Sequence, residues 1–175
     1  MNFLLLDADV IIDLHKHRLW KQITKQHKVF IPSIVLHQEV YYFEDENGNH
    51  QSIDLLPQSG KTFTEISADA SELISFMEQF DSLFQFEIHE GEKEALVLLQ
   101  QNEDLTICSC DGAAIKALGL LDLSEQGISF EGLLEKTGMK KNISFKHSQK
   151  RFRKLIEEGV IMRIQDRGLK KKKKR

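Results

Sequence analysis

Five acidic residues of the chain are expected at strand ends, at helix starts or on a helix that follows a strand: Asp7, Glu39, Glu92, Glu94 and Asp111. Charged side chains are rarely buried unless they are paired or bind a metal. Several carboxylates within a few ångströms cannot all stay ionised, because their repulsion raises the pKa of some. A divalent cation removes this penalty, and carboxylate-rich oxygen sites suit Mg²⁺ or Mn²⁺, which can hold a phosphate and activate a water. Together these residues could perform metal-dependent attack on a phosphodiester.

The elements that must position these acids alternate between strands and helices. Short apolar runs at 2–6, 28–33 and 105–110 predict buried strands, and helical spacing of apolar residues predicts helices after each of them. This order is typical of a parallel sheet covered by helices. The predicted fold class is therefore α/β, with three α/β/α layers around a mostly parallel sheet.

The carboxyl ends of parallel strands meet at one edge of the sheet, where ligands bind. Asp7 ends the first strand and Asp111 follows the strand at 105–110. Glu39 lies on the helix after the second strand, while Glu92 and Glu94 open a helix at 91–102. We therefore expect these acids to converge on one rim, with Asp7 as the anchor of the metal site.

Several of these acids also have ordinary structural interpretations. Asp111 could cap the next helix, and Glu92 and Glu94 could be acids that favour a helix N-terminus. Asp9 is interpreted as a helix cap rather than a ligand, and Asp13 is expected to be exposed. Glu39 is harder to explain structurally, because its neighbours in the sequence are apolar.

The rest of the chain carries an insertion and a basic end. Asn47-Gly48 between apolar and aromatic segments predicts a β-hairpin inserted at about 41–65. We also expect a strand at 83–89, a helix capped by Ser33 and a C-terminal helix capped by Ser144. This organisation divides the chain into an α/β domain at 1–139 and a basic C-terminal helix with a lysine-rich tail at 140–175.

The charge is distributed unequally between these two parts. Residues 1–139 contain nine Lys and Arg against 24 Asp and Glu, whereas residues 140–175 contain 15 against three. Such an asymmetry suggests a basic arm that binds an anionic partner or folds back on the acidic body. The residues expected to contact nucleic-acid phosphates are Lys146, Lys150, Arg151, Arg153 and Lys154.

Four segments in this order resemble the PIN-domain family of metal-dependent nucleases: LLLDADVIIDL, IPSIVLHQEV, GEKEALVLL and LTICSCDGAAIKAL. The resemblance covers about residues 2–125. It implies Asp7, Glu39, Glu92 and Asp111 as catalytic metal ligands, with Glu94 as a further ligand. It also implies Mg²⁺ or Mn²⁺ as cofactor and RNA as substrate, with an antitoxin-like protein or a second copy of the chain as candidate partners. The longer hairpin, the basic end and the lack of a second acid close after Asp111 depart from the family pattern.

Two other functions remain open at this stage. One is a catalytically inactive PIN-like module that binds nucleic acid through its basic arm. The other is a phosphatase of the haloacid dehalogenase type, since LLLDADV also matches its opening motif, although a paired-aspartate motif is missing. The HKH segment at 15–17 lacks the further ligands of a zinc site, so exposed helix histidines are expected.

Cysteine usage and hydropathy indicate a cytoplasmic protein. Cys108 and Cys110 would lie on the same face of one strand, which is poor geometry for a disulfide and is typical of a reducing compartment. We expect no secretory signal in residues 1–27, because acids interrupt the apolar run. We also expect no membrane span, because no apolar segment approaches about 20 residues.

Overall fold

The computed structural model of the protein describes residues 3–39, 41–45 and 47–170. Its strands are β1 (Phe3–Leu6), β2 (Lys28–Pro32), β3 (Tyr42–Glu44), β4 (His50–Ser52), β5 (Thr64–Ile66), β6 (Leu105–Cys108) and β7 (Gly127–Ile128). Five of them form a central sheet in the order β5-β2-β1-β6-β7, and every neighbouring pair in it is parallel. Strands β3 and β4 form a separate antiparallel hairpin.

The helices in this part of the chain flank the sheet. They are α1 (Ala8–Lys16), α2 (Trp20–Gln26), α3 (Ser33–Gln38), α4 (Ala70–Met77), α5 (Ser82–Glu87), α6 (Glu90–Gln101), α7 (Gly112–Leu120), α8 (Phe130–Lys136) and α9 (Gln149–Ile164). Short 3₁₀ turns lie at Leu56–Gln58, Ser124–Gln126 and Phe145–His147. Within the described residues, none of these helices is long and apolar enough to cross a membrane.

Alternation along β1 divides the apolar core into two. Successive strand side chains point to opposite faces, so Leu4 and Leu6 pack in one cluster with α1, α2, α3 and α8. Leu5 points the other way and packs with residues of α4, α5, α6, α7 and α9. The two clusters lie on opposite faces of the sheet, which confirms the predicted three-layer α/β fold.

The C-terminal helix is part of this body and not a separate arm. Helix α9 buries Phe152 in the second cluster. It also crosses α7 so closely that a Cβ added to Gly159 would lie 2.0 Å from the Lys116 carbonyl oxygen, and one added to Gly119 would lie 2.2 Å from the Ile156 carbonyl oxygen. Only glycine fits at these two positions. The boundary placed at residue 139 therefore does not separate independent parts of the described chain.

Several local expectations are wrong. Residues expected to form a strand at 83–89 form α5 instead, because Asp81 caps the helix by accepting a hydrogen bond from the Phe84 N–H at 2.9 Å. The inserted hairpin is shorter than 41–65, since β5 belongs to the main sheet and pairs with β2. The lysine-rich end, residues 171–175, lies outside the described residues.

Two predicted helix caps also differ. The Ser33 hydroxyl donates to Glu65 rather than capping α3. Helix α9 is capped by Ser148, which accepts from the Arg151 N–H at 3.2 Å, and Ser144 precedes only a 3₁₀ turn. Helix α9 therefore begins after Ser148, and α3 begins without a side-chain cap from Ser33.

The chain path opens a crevice between β1 and β6. From β1 the chain moves outward to β2 and β5, and then crosses back to β6 on the other side of β1. Such a reversal leaves space at the carboxyl ends of the two strands. The Asp7 N–H donates to the Cys108 carbonyl oxygen at 3.3 Å, so Asp7 and the residues after Cys108 lie side by side at this crevice.

Candidate functional site

The crevice is a cavity of about 290 Å³ lined by acidic side chains from four separate segments. It contains all four residues expected to converge, namely Asp7, Glu39, Glu92 and Asp111. Asp9 and His89 line it as well. Within the described residues, Asp9 is the only one of these five carboxylates with an ion-pair partner.

Asp7 and Asp111 are joined through the buried hydroxyl of Ser109. This hydroxyl donates to Asp7 Oδ2 at 2.7 Å and accepts from the Asp111 N–H at 3.1 Å. Asp7 Oδ1 accepts from the Ala8 N–H at 2.7 Å and so caps α1. The two aspartates are therefore fixed by the ends of adjacent strands.

Asp111 is at the same time the cap of α7. Its Oδ1 accepts from the N–H groups of Ala113 and Ala114 at 2.7 and 2.9 Å. The capping and ligand interpretations of Asp111 are therefore compatible, because one oxygen satisfies the helix and the other remains at the cavity.

The acids of the cavity perturb each other's ionisation. Burial raises the pKa of Asp7 to about 6, and the charges of Asp9 and Asp111 add to the rise, while hydrogen bonds from Ser109 and Ala8 oppose it. Burial also raises the pKa of Glu92 to about 8, with the charge of Asp111 as the second cause. Without a cation, this cavity therefore holds protons near neutral pH.

Glu92 is oriented by the first turn of α6. Its carboxylate accepts from the His89 N–H at 2.8 Å, closing a capping box at the helix start. A Cβ on Gly91 would approach Val35 Cγ2 to 2.7 Å, so this glycine lets the start of α6 lie against α3. The close approach brings Glu92 to the same cavity as Glu39.

Glu39 follows the last residue of α3 and is exposed at the edge of the cavity. Next to it, the buried hydroxyl of Tyr41 donates to the Val35 carbonyl oxygen at 2.6 Å. Burial raises the pKa of Tyr41, and the charges of Glu39 and Asp7 raise it further. Tyr41 therefore remains protonated and supports the end of α3.

The roles expected for Asp7 and Asp9 are partly exchanged. Asp7, and not Asp9, caps α1, while Asp9 lies in the first turn, lines the cavity and pairs with Lys146. Asp13 was expected to be exposed but its side chain is only 19% exposed, since it pairs with His147 at 3.0 Å. These contacts come from the C-terminal segment, which sequence spacing does not place.

The carboxylates line the cavity but do not surround one position at which an ion would contact several of them directly. Within the described residues, no three His, Cys, Asp or Glu side chains form a group that could hold a metal ion directly. The donor set nevertheless suits Mg²⁺, which keeps several of its waters and is bound through one or two carboxylates. The carboxylates have raised pKa values, and the cavity has room for a cation with its waters, so the site fits a hydrated divalent cation.

Glu94 does not line this cavity. It is buried, and its two oxygens accept from the Ile34 N–H at 2.7 Å and the Ala68 N–H at 3.2 Å. Since the Pro32 cap has no side-chain hydrogen bond, Glu94 satisfies an otherwise unpaired amide in the first turn of α3. The structure therefore gives Glu94 a structural role in place of the expected ligand role.

We expect Glu94→Ala to destabilise the protein by about 3 kcal/mol, because it leaves two partly buried N–H groups without their charged acceptor. Urea unfolding measures this loss, and Glu94→Gln should lose less because it keeps an acceptor oxygen. A stable Glu94→Ala protein with weakened Mn²⁺ binding would instead make Glu94 a ligand.

A buried hydrogen-bond chain fixes the C-terminal segment beside the cavity. Cys110 Sγ lies 2.8 Å from His147 Nδ1, and His147 Nε2 lies 3.0 Å from Asp13 Oδ2. Burial raises the pKa of Cys110 and lowers that of His147, so the thiol donates to a neutral imidazole that donates to Asp13. Because Cys110 is only 1% exposed, this series of hydrogen bonds is a structural link and not a nucleophilic site.

Two of the five basic residues expected to bind nucleic acid instead form contacts within the protein. Lys146 pairs with Asp9, and Arg151 Nη1 donates to the carbonyl oxygens of Cys110 and Lys146 at 2.9 and 3.1 Å. Lys150, Arg153 and Lys154 are exposed on α9, and Lys154 lies 3.9 Å from Glu158. Lys146 and Arg151 thus dock the C-terminal segment onto the site.

Sequence reasoning missed the residues that support the acids. Ser109, Tyr41 and His147 are all absent from the expected site. Ser109 has a recognisable signal, since it is a polar residue between two apolar cysteines next to Asp111. His147 has none, because it reaches the site only through the tertiary packing of α9.

Comparisons with known proteins add no assignment. No family model, no curated protein and no solved structure matches the chain.

Proposed function

We propose that this protein is a Mg²⁺- or Mn²⁺-dependent endoribonuclease of the PIN type, acting in a reducing, cytoplasmic environment. The observation that carries this proposal is the meeting of Asp7, Glu39, Glu92 and Asp111 at the carboxyl edge of a parallel sheet. Free Cys108 and Cys110 fit the reducing environment. An antitoxin-like protein and a second copy of the chain remain the candidate partners.

In this proposal the carboxylates hold the cation and orient the substrate. A bound divalent cation neutralises phosphate charge and lowers the pKa of water. Asp7 and Asp111 supply rigid oxygens, because Ser109 and the caps of α1 and α7 fix both carboxylates. Glu92 would supply a further oxygen, and the cation would replace the proton that its raised pKa otherwise retains near neutral pH. Lys146 neutralises the charge of Asp9 at the edge of the cavity.

Cleavage of a fluorescently labelled RNA oligonucleotide tests the proposal. We expect cleavage that requires Mg²⁺ or Mn²⁺, stops with a chelator and is lost in Asp111→Asn, since asparagine keeps the cap but removes the charge. Glu103→Gln is the matched control, because Glu103 is an exposed acid outside the cavity. Purified protein that binds RNA but never cleaves it would favour the inactive module, and hydrolysis of phosphate monoesters alone would favour the phosphatase.

The stabilisation by Mg²⁺ should grow with pH. A cation competes with the protons on Asp7 and Glu92, whose pKa values are raised to about 6 and about 8. At one fixed Mg²⁺ concentration, the increase in Tm is therefore expected to be small below pH 6 and to rise through pH 8. An increase in Tm that does not change with pH would show that these two carboxylates are not the binding groups.

A further inference from the structure

A second cavity, of about 750 Å³, lies at the opposite end of α1 from the carboxylates. Its walls come from the end of α1, the β3–β4 hairpin and the chain before α9. Three basic residues line it, namely Lys16, Arg18 and Lys141, together with His15 and His17, the aromatic ring of Phe43 and the amides of Asn47 and Gln51.

The acids in this cavity are already engaged. Asp45 accepts hydrogen bonds from the backbone N–H groups of Asn47 and Asn49, at 2.9 and 3.0 Å, and from Gln51 Nε2 at 2.9 Å. Glu44 lies 3.5 Å from His50 Nε2. In contrast, Lys16, Arg18 and Lys141 form no ion pair within the described residues. Three cations against these two acids leave the cavity with an excess of positive charge for an anion.

Arg18 is held in a backbone conformation that normally belongs to glycine. Its φ is 59°, and it closes α1 with two bonds, from the Arg18 N–H to the His15 carbonyl oxygen at 2.9 Å and from the Leu19 N–H to the Leu14 carbonyl oxygen at 2.7 Å. Glycine adopts this position at a helix end without steric cost. The backbone gains nothing from arginine here, whereas the cavity gains a guanidinium.

The two cavities are connected by α1. Asp7 and Asp9 at its start line the first cavity, and the residues at its end line the second. Nine helical residues span about 14 Å at 1.5 Å per residue. An extended single strand of RNA with a phosphate at the carboxylates can therefore reach the second cavity within a few nucleotides.

We propose that the second cavity binds the phosphates of single-stranded RNA through Lys16, Arg18 and Lys141, as an extended substrate site beyond the carboxylates. This rests on the proposed nuclease function and identifies its substrate class. Phe43 supplies a face on which a base can stack, and the side-chain amide of Asn47 and the amide oxygen of Gln51 can form base-edge hydrogen bonds. An acidic peptide would use the cations and the amides but has no base to stack on Phe43.

The test uses Arg18→Gly in an Asp7→Asn background, where binding is measured without cleavage by fluorescence anisotropy of a labelled single-stranded RNA. We expect affinity to fall about tenfold and the salt slope to decrease by about one, because one phosphate contact is lost. The Tm should stay equal or rise, since glycine relieves the backbone. This combination separates a binding role from a structural role.

Asp166→Gly is the matched control. Asp166 ends α9 with the same pair of backbone bonds at φ 54°, but it does not line the cavity. We expect the same or a higher Tm and no loss of RNA affinity. Lys25→Gln, an exposed cation on α2, controls for general charge.

The outcomes separate this site from the nuclease activity. If Arg18→Gly binds RNA as tightly as its parent, the extended site is wrong, even when the wild-type protein cleaves RNA. If the parent binds poly-glutamate through Arg18 and does not bind RNA, the partner class is wrong. If binding depends on Arg18 but no variant or wild-type protein cleaves RNA, the extended site stands and the catalytic proposal fails.

Discussion

Replacing Asp7 with asparagine is expected to abolish RNA cleavage while making the metal-free protein more stable. Even groups that only orient a metal ligand cost about 10- to 100-fold when mutated, so we expect more than about a hundredfold loss for the anchor itself. Asparagine retains the oxygen that caps α1. The loss of cleavage is therefore expected without unfolding.

The gain in stability follows from the raised pKa of Asp7. An aspartate that ionises at about 6 when folded, but at about 3.8 when unfolded, opposes folding increasingly as the pH rises between these values. One pKa unit corresponds to about 1.4 kcal/mol, and solvent reduces the effect at this partly exposed residue, so we expect Asp7→Asn to gain about 1–2 kcal/mol above pH 6.

Chemical unfolding with a chelator present, at pH 4 and pH 7, measures this gain. The difference between Asp7→Asn and wild type should be near zero at pH 4 and positive at pH 7. Glu103→Gln should match wild type at both values. A destabilised Asp7→Asn protein at pH 7 would mean that the Asp7 charge supports the fold, contrary to the repulsion inferred from the cavity.

Removing residues 140–175 should prevent folding of the remaining chain. Helix α9 buries Phe152 against the second core cluster, and truncation of one buried phenylalanine alone costs about 3–5 kcal/mol. Whole domains are stable by only about 5–15 kcal/mol. Circular dichroism and thermal unfolding of residues 1–139 are therefore expected to show no cooperative transition.

A chain ending at Lys170 is the control and should unfold as the full chain does. Gly159→Val tests the same contact with a single change, because its Cβ would collide with the Lys116 carbonyl oxygen. It should be destabilised by more than about 2 kcal/mol, as expected when side-chain atoms are added to a packed interface. Cooperative unfolding of residues 1–139 near the wild-type temperature would restore the idea of a separate basic arm.

The parallel sheet was predictable because its strands are short, apolar and separated by helical patterns. The alternating side-chain directions along the strand at 3–6 follow from local sequence alone. The start of α6 is likewise indicated locally, by its early glutamates. The prediction of a strand at 83–89 was wrong, because Asp81 is a strong helix cap and outweighs the alternation of apolar and polar residues. Strand β7, which has two residues, carries too little pattern to predict.

The convergence of the acids was predictable from topology, whereas their individual partners were not. Glu92 and Glu94 are two residues apart on one helix, so they point in different directions. Sequence alone does not show that Glu92 meets Asp111 while Glu94 turns to the amides of α3. The ion pair between Lys146 and Asp9 is equally impossible to predict from the sequence, because the two residues are 137 positions apart.

Calorimetric titration of Mn²⁺ into the wild-type protein and its cavity variants tests the central claim most directly. We expect binding to wild type, a loss of about tenfold or more in affinity for Glu92→Gln and Asp111→Asn, and no change for Glu103→Gln. If both cavity variants bind Mn²⁺ as wild type does, or if wild type binds none, the carboxylates of this cavity do not form a metal site.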